Sequence, residues 1–245
     1  MRKRRGVSRP LDIPPIFFLQ SSRVSMPASP TEKTIRLQPP LPRAFYNRDP
    51  REVSPELLGK VLVRRAGRKL LAARIVEVEA YLGENDPAAH SAVGRTPRNA
   101  VMFGPPGFAY VYFIYGNHYC LNVSCLPEGA AGAILFRAAE PLLGIEAMAN
   151  ARGVAADTPR GLRNLTSGPG RLAEAFGITR SRDNGKDFTD VGSDLLIVDD
   201  GFGAPEVVIT ARIGITKAAD LPLRYLIAGN PFVSGATRLR RVHSG

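Results

Sequence analysis

The stretch Phe108-Ala-Tyr-Val-Tyr-Phe-Ile-Tyr-Gly-Asn-His-Tyr-Cys-Leu-Asn-Val-Ser124 decides how the rest of the chain is read. Two runs of aromatic and β-branched residues flank Gly116-Asn117, a dipeptide suited to a two-residue turn, so the spacing predicts a β-hairpin. Strand side chains alternate, which puts Tyr110 and Tyr112 on one face and leaves Tyr115 immediately before the turn. His118, Cys120, Asn122 and Ser124 alternate along the return strand. An aromatic side chain at the tip of a tight hairpin is poorly placed for burial in its own core. It either packs on a neighbouring loop or projects into a partner, and spacing alone leaves both open.

Outward from the hairpin, the same reasoning predicts strands over Val61–Arg65, Leu70–Tyr81, Ala133–Ala138, Leu195–Val198, Val207–Arg212 and Leu223–Ile227. Helices are expected over Ser54–Lys60, with Ser54 as cap and Pro55 at the first position, over Pro141–Arg152, and over Arg171–Phe176 after Gly168-Pro169-Gly170. Gly83–Pro106 is rich in Gly, Pro, Asn and Asp. A loop of that length in a compact domain is usually functional or mobile. Many strands joined by hairpins, with few helices, predict one α+β domain: a curved, mostly antiparallel sheet, peripheral helices and a protruding hairpin.

The chain of 245 residues carries a formal net charge of +11. Residues 1–43 hold nine Lys or Arg against two acids and contain eight prolines. They are expected to be a disordered or loosely attached basic tail, with the folded domain running from 44 to about 240. The apolar stretch Ile13–Leu19 contains two prolines and is too short for a signal peptide, and no run has the roughly 20 apolar residues of a membrane span. Two cysteines, Cys120 and Cys125, lie on one predicted strand and alternate in direction, so they do not pair. Three histidines without ligand spacing argue against zinc. The expected setting is reducing and cytoplasmic. The basic balance suits a polyanion, whether nucleic acid or anionic lipid.

Several segments carry chemistry-bearing side chains. In Arg74-Ile-Val-Glu-Val-Glu-Ala-Tyr81, alternation puts Ile75, Glu77, Glu79 and Tyr81 on one face, a carboxylate beside a ring; a solvated strand face is the ordinary account. His90 lies in a loop within reach of that strand's end. Arg95 and Arg98 stand among turn residues that suit a phosphate backbone, or simply solvent. Arg137 sits on a strand beside Leu135. Gly168 and Arg171 open a helix whose amides suit a phosphate, or only a turn and cap.

Taken in order, these segments resemble the alkyladenine (3-methyladenine) DNA glycosylase family. The matching text is Arg-Ile-Val-Glu-Val-Glu-Ala-Tyr-Leu-Gly at 74–83, Ala-Ala-His-Ser at 88–91, Thr-Pro-Arg-Asn at 96–99 and Tyr-Val-Tyr-Phe-Ile-Tyr-Gly at 110–116. Asn122, Leu-Phe-Arg-Ala-Ala-Glu-Pro at 135–141, Ser-Gly-Pro-Gly at 167–170 and Arg-Ile-Gly-Ile at 212–215 complete it, over roughly residues 45–235.

The resemblance implies a monofunctional enzyme that flips alkylated or deaminated purines out of duplex DNA and hydrolyses the N-glycosidic bond, leaving an abasic site. It implies Glu79 as general base, Arg137 holding the attacking water, and Tyr81, His90 and Tyr112 around the base. Asn122 would form the pocket floor, Tyr115 the intercalating wedge, and Arg98, Arg95, Gly168 and Arg171 the backbone contacts. No metal or organic cofactor is implied, and the expected state is a monomer, cytoplasmic or nucleoid-associated. The competing reading is a nucleic-acid-binding module without catalysis, in which the rings stack bases and Glu79 is incidental.

Overall fold

The computed structural model describes residues 30–67, 69–114, 116 and 118–235. Three short helices, α1 (Glu32–Leu37), α2 (Arg43–Tyr46) and α3 (Pro50–Leu57), lead into strands β1 (Val61–Ala66) and β2 (Lys69–Tyr81). An irregular segment with two 3-10 turns, His90–Val93 and Ala100–Phe103, connects to β3 (Ala109–Ile114), β4 (His118–Cys125) and β5 (Gly132–Leu143). Helices α4 (Ile145–Arg152), α5 (Pro159–Thr166), α6 (Pro169–Ala175) and α7 (Arg180–Asp183) precede β6 (Leu195–Val198), β7 (Val207–Thr210) and β8 (Arg224–Ile227).

These eight strands form one antiparallel sheet in the order β3-β4-β5-β2-β1-β6. β8 pairs with β2 over Glu77–Glu79, beyond the end of β1, and β7 pairs with β8. The domain is therefore α+β, as the strand spacing predicts. β2 lies between neighbours on both edges and is buried from Leu70 to Ala80. One sheet face carries Val78, Val111, Leu121, Val123, Ile134 and Phe136 into the main core, where Met148, Leu165, Leu172 and Phe176 of the helices meet them. The other face carries Tyr110, Tyr112, Cys120, Ala133 and Leu135 against Met102 and Phe103 of the irregular segment. Alternation in the hairpin thus divides core from site.

Four expectations need correction. Helix α3 starts four residues earlier than Ser54: Asp49 caps it by accepting from the Arg51 amide, Pro50 takes the first turn, and Ser54 and Pro55 lie inside. Pro55 only costs the helix one bond, because it has no N–H for the carbonyl four residues back. Pro141 to Leu143 belong to β5, and the helix begins after Gly144 at φ +76°. A Cβ at Gly144 would meet Leu71 Cδ2 at 2.5 Å, so the turn out of the strand requires glycine.

The strand expected over Val207–Arg212 stops at Thr210, and Arg212 leaves it to reach the site. Residues 30–43, assigned above to the tail, pack on the sheet: Ile35 and Leu41 are buried, and the Leu41 amide donates to Ile197 O at 2.8 Å.

Candidate active site

Register brings the site together. Tyr110 pairs with Asn122, Asn122 with Leu135, Leu135 with Glu79, and Glu79 with Arg224. Directly paired residues of antiparallel strands project from the same face, so this row runs across β3, β4, β5, β2 and β8 on the side away from the main core. With strands about 4.8 Å apart, Asn122 and Glu79 stand roughly 10 Å from each other. Tyr81 pairs with Ala133 in the adjoining row.

Glu79 is fully buried. Its Oε1 accepts from the Ile213 amide at 2.8 Å and pairs with Arg137 Nη1 at 3.1 Å. The Tyr81 hydroxyl donates to Oε2 at 3.0 Å. A carboxylate has about four acceptor positions; the three contacts here leave one, on the oxygen that faces Tyr81. Burial and the adjacent Glu79 charge push the Tyr81 phenol far above its ordinary range, which keeps it a donor. Burial opposes the charge of Arg137, but Glu79 and Glu77 outweigh it, and Arg137 stays cationic.

Arg137 owes its direction to paired irregularities in the ladder. Between Ile75 and Glu77, β2 carries one extra residue; between Glu77 and Val78 the extra residue is on β5, and it is Arg137. Such bulges re-aim side chains without shifting the register beyond them. The first also explains why Ile75 sits in the main core rather than beside Glu77. Glu77, equally buried, accepts from Arg137 Nε at 2.9 Å, Arg224 Nε at 2.7 Å, Ser234 Oγ at 2.8 Å and the Ser234 amide. Neither glutamate is on a solvated strand face.

A cavity of about 110 Å³ opens beside this network, lined by Tyr81, His90, Met102, Tyr110, Tyr112 and Asn122 among others. The His90 ring stands edge-on to Tyr112, centroids 4.4 Å apart and planes at 82°. His90 Nδ1 lies 3.0 Å from the Tyr110 hydroxyl. His90 is exposed on its outer side. Burial of its inner side, and then the Arg98 charge, lower its pKa from the usual 6.5. Asn122, one of the lining residues, donates from Nδ2 to Tyr110 O at 3.0 Å. Tyr81, His90, Tyr112 and Asn122 therefore converge, with Glu79 joined to them through Tyr81.

Arg95 and Arg98 are exposed in the segment that follows His90, and Arg98 reaches Phe113 O at 3.3 Å near the hairpin end. Arg171 is exposed and contacts Asn164 Oδ1 at 3.1 Å. The Gly168 amide is already bonded to Arg137 O at 3.0 Å, so any phosphate contact there would fall to later amides of the turn. Tyr115 lies outside the described residues.

A family model for methylpurine-DNA glycosylase matches residues 44–231. The chain belongs to the methylpurine-DNA glycosylase family. A protein of Koribacter versatilis (strain Ellin345), provisionally named a 3-methyladenine DNA glycosylase, is 70% identical over 196 residues, covering 80% of this chain and 93% of that protein. Similarly named proteins of Burkholderia cenocepacia (strain HI2424) and Rhodopseudomonas palustris (strain HaA2) are 49% and 48% identical over 216 residues, each covered to 98%. The chain is thus a DNA glycosylase, a hydrolase of N-glycosyl bonds that acts on DNA in its repair.

The glycosylase holds its site with residues that local sequence reasoning passed over. Asp86 and Arg212 form a two-pronged buried pair at 2.5 and 2.9 Å, and Arg212 lies 4.7 Å over the Tyr81 ring. Asn99, buried, bonds to His90 O and Gly94 O at 2.9 Å and accepts from Thr96 N at 2.7 Å. Their partners are distant or are backbone atoms of a loop, which no spacing rule marks. Among the described residues no helix is long and apolar enough to cross a membrane.

Proposed function

We propose that this glycosylase turns an alkylated or deaminated purine out of duplex DNA into the cavity of Tyr81, His90, Tyr112 and Asn122, where Glu79 activates water. The water oxygen bonds to the sugar carbon, the bond to the base nitrogen breaks with its electron pair leaving on the base, and Glu79 takes the water proton. The product is an abasic site. The observation that carries this is the Tyr81–Glu79 bond: one residue both lines the cavity and holds the carboxylate. Charge develops on the sugar as the bond breaks, and an ionised carboxylate stabilises it. Arg137 pairs with the Glu79 carboxylate and leaves one oxygen position for water.

The lining suits a cationic leaving group. Rings of Tyr81 and Tyr112 attract a methylated purine cation by about 0.5–2 kcal/mol per good contact. A neutral His90 avoids repelling it. Asn122 at the floor disfavours the exocyclic amine of guanine. Damaged or mismatched bases cost less to unstack, which adds selectivity. Tyr115, which follows β3 in the sequence, would fill the gap left in the duplex, with Arg95, Arg98 and Arg171 on phosphates. One chain supplies every group, so we propose a monomer, and the scheme needs no metal or cofactor.

Duplex oligonucleotides with a single 3-methyladenine, 7-methylguanine, hypoxanthine or ethenoadenine test this reading. Free base and an alkali-labile abasic site are the expected products. Strand breakage without alkali, or trapping of a protein–DNA adduct by borohydride, would mean an amine nucleophile instead of water.

A further inference from the structure

The mechanism above uses one of two adjacent buried glutamates. Glu77 is as inaccessible as Glu79, and neither is among the residues that line the cavity; Glu79 is bonded to the lining residue Tyr81, whereas Glu77 bonds to none of them. Its four hydrogen-bond donors are Arg137 Nε, Arg224 Nε, and the hydroxyl and amide of Ser234. Three of them converge on Oε1 and the Ser234 amide alone bonds to Oε2; all come from the protein, and full burial keeps Glu77 from water and substrate.

Arg137 lies between the two glutamates. It spends Nε on Glu77 and presents Nη1 to Glu79 Oε1 at 3.1 Å, with Nη2 3.5 Å from Ser234 Oγ. A guanidinium is planar, and its N–H directions are fixed relative to one another. Anchoring Nε therefore sets where Nη1 points. Arg137 also stands at a bulge, where the regular ladder does not dictate its direction. Arg224, from β8, completes the charge balance, two guanidiniums against two carboxylates. Ser234 ties the last described turn of the chain to the same carboxylate.

We propose that Glu77 is a positioning residue for base excision, acting through Arg137 to hold the Glu79 carboxylate in its productive orientation. The inference rests on the reading of Glu79 given above. A role of this kind predicts a defect in the chemical step with little defect in DNA binding, because no atom of Glu77 lines the cavity.

The test compares wild type, Glu77→Gln and Glu79→Gln by single-turnover base release from a hypoxanthine duplex, with binding to the same duplex measured separately. Glu77→Gln should slow release about tenfold or more per binding-competent molecule while Kd stays within about threefold. In ¹⁵N NMR the Arg137 Nε–H signal should shift in Glu77→Gln and stay in place in Glu79→Gln, a readout that general loss of stability does not produce. Release within about twofold of wild type, or a deficit that vanishes once corrected for the binding-competent fraction, would overturn the proposal. If Glu77→Gln does not fold, Ser234→Ala removes one donor from Glu77 and should slow release about threefold; an unchanged rate there overturns it equally. Normal release by Glu79→Gln would instead refute the general-base reading, whereas loss in Glu79→Gln alone would refute only the role of Glu77.

Discussion

The Tyr81 hydroxyl donates to Glu79 Oε2 at 3.0 Å, so the ring that lines the cavity and the carboxylate behind it act as one unit. Alternation on β2 puts both on the same face, and the bond ties the carboxylate to a residue of the cavity wall. Tyr81→Phe keeps the ring and removes the donor. Binding to lesion-containing DNA should change by less than about threefold, while single-turnover base release should fall about tenfold, the cost of one neutral hydrogen bond to a charged group. Equal losses in binding and release would show that the hydroxyl serves only to bind.

His90 provides a pH signature. Its pKa is depressed by burial against the tyrosines and by Arg98, so the folded protein takes up this proton less readily than the unfolded chain. Stability is therefore complete above about pH 6.5 and falls as pH drops through the folded value, then levels off. Ring-proton NMR should find His90 neutral at pH 7 and titrating below about 6.5. Chemical denaturation of His90→Gln should lack that part of the pH dependence. Titration above the ordinary histidine value would contradict the packing described here.

The pair formed by Asp86 and Arg212 holds the loop that delivers the Ile213 amide to Glu79. Both side chains are fully buried. Removing one partner leaves an uncompensated buried charge, so Arg212→Met should cost about 3–5 kcal/mol in denaturant unfolding. Base release should also fall in the protein that remains folded, because Arg212 no longer lies over Tyr81. A loss below about 1 kcal/mol would mean that the loop is held elsewhere.

The hairpin was legible because its apolar residues repeat with period two around Gly116-Asn117, and the same period placed Glu79 beside Tyr81. The register that unites Tyr110, Asn122, Leu135 and Glu79 is a pairing of four separate strands, and local pattern carries no information about it. Arg137 aims at Glu79 because of a bulge, which no residue type announced. Asp49-Pro50 and Ser54-Pro55 are both acceptable helix starts, and the earlier one prevailed because its carboxylate caps the Arg51 amide. Pro141 suggested a helix start, but an extended strand end tolerates its fixed φ equally well. Glu77 and Ser234 lie 157 residues apart in sequence, and only the folded chain joins them.

Asn99 is the clasp of the loop carrying His90, Arg95 and Arg98, with bonds to Thr96, Gly94 and His90 backbone atoms. Asn99→Ala leaves those groups to water or to no partner, at about 1–3 kcal/mol. Amide hydrogen exchange should accelerate across residues 90–99 while β2 and β5 keep their protection. DNA binding should weaken more than the excision step slows. Unchanged exchange in that segment would show that the loop is held by other contacts.

The central claim is that the buried carboxylate at position 79 performs the chemistry. Single-turnover release of hypoxanthine by Glu79→Gln, at enzyme concentrations far above Kd, tests it most directly, because the substitution preserves shape and leaves the cavity wall in place. The account predicts that the variant binds the lesion duplex with near wild-type affinity and releases base at least about a hundredfold more slowly. Release at a rate close to wild type would contradict it.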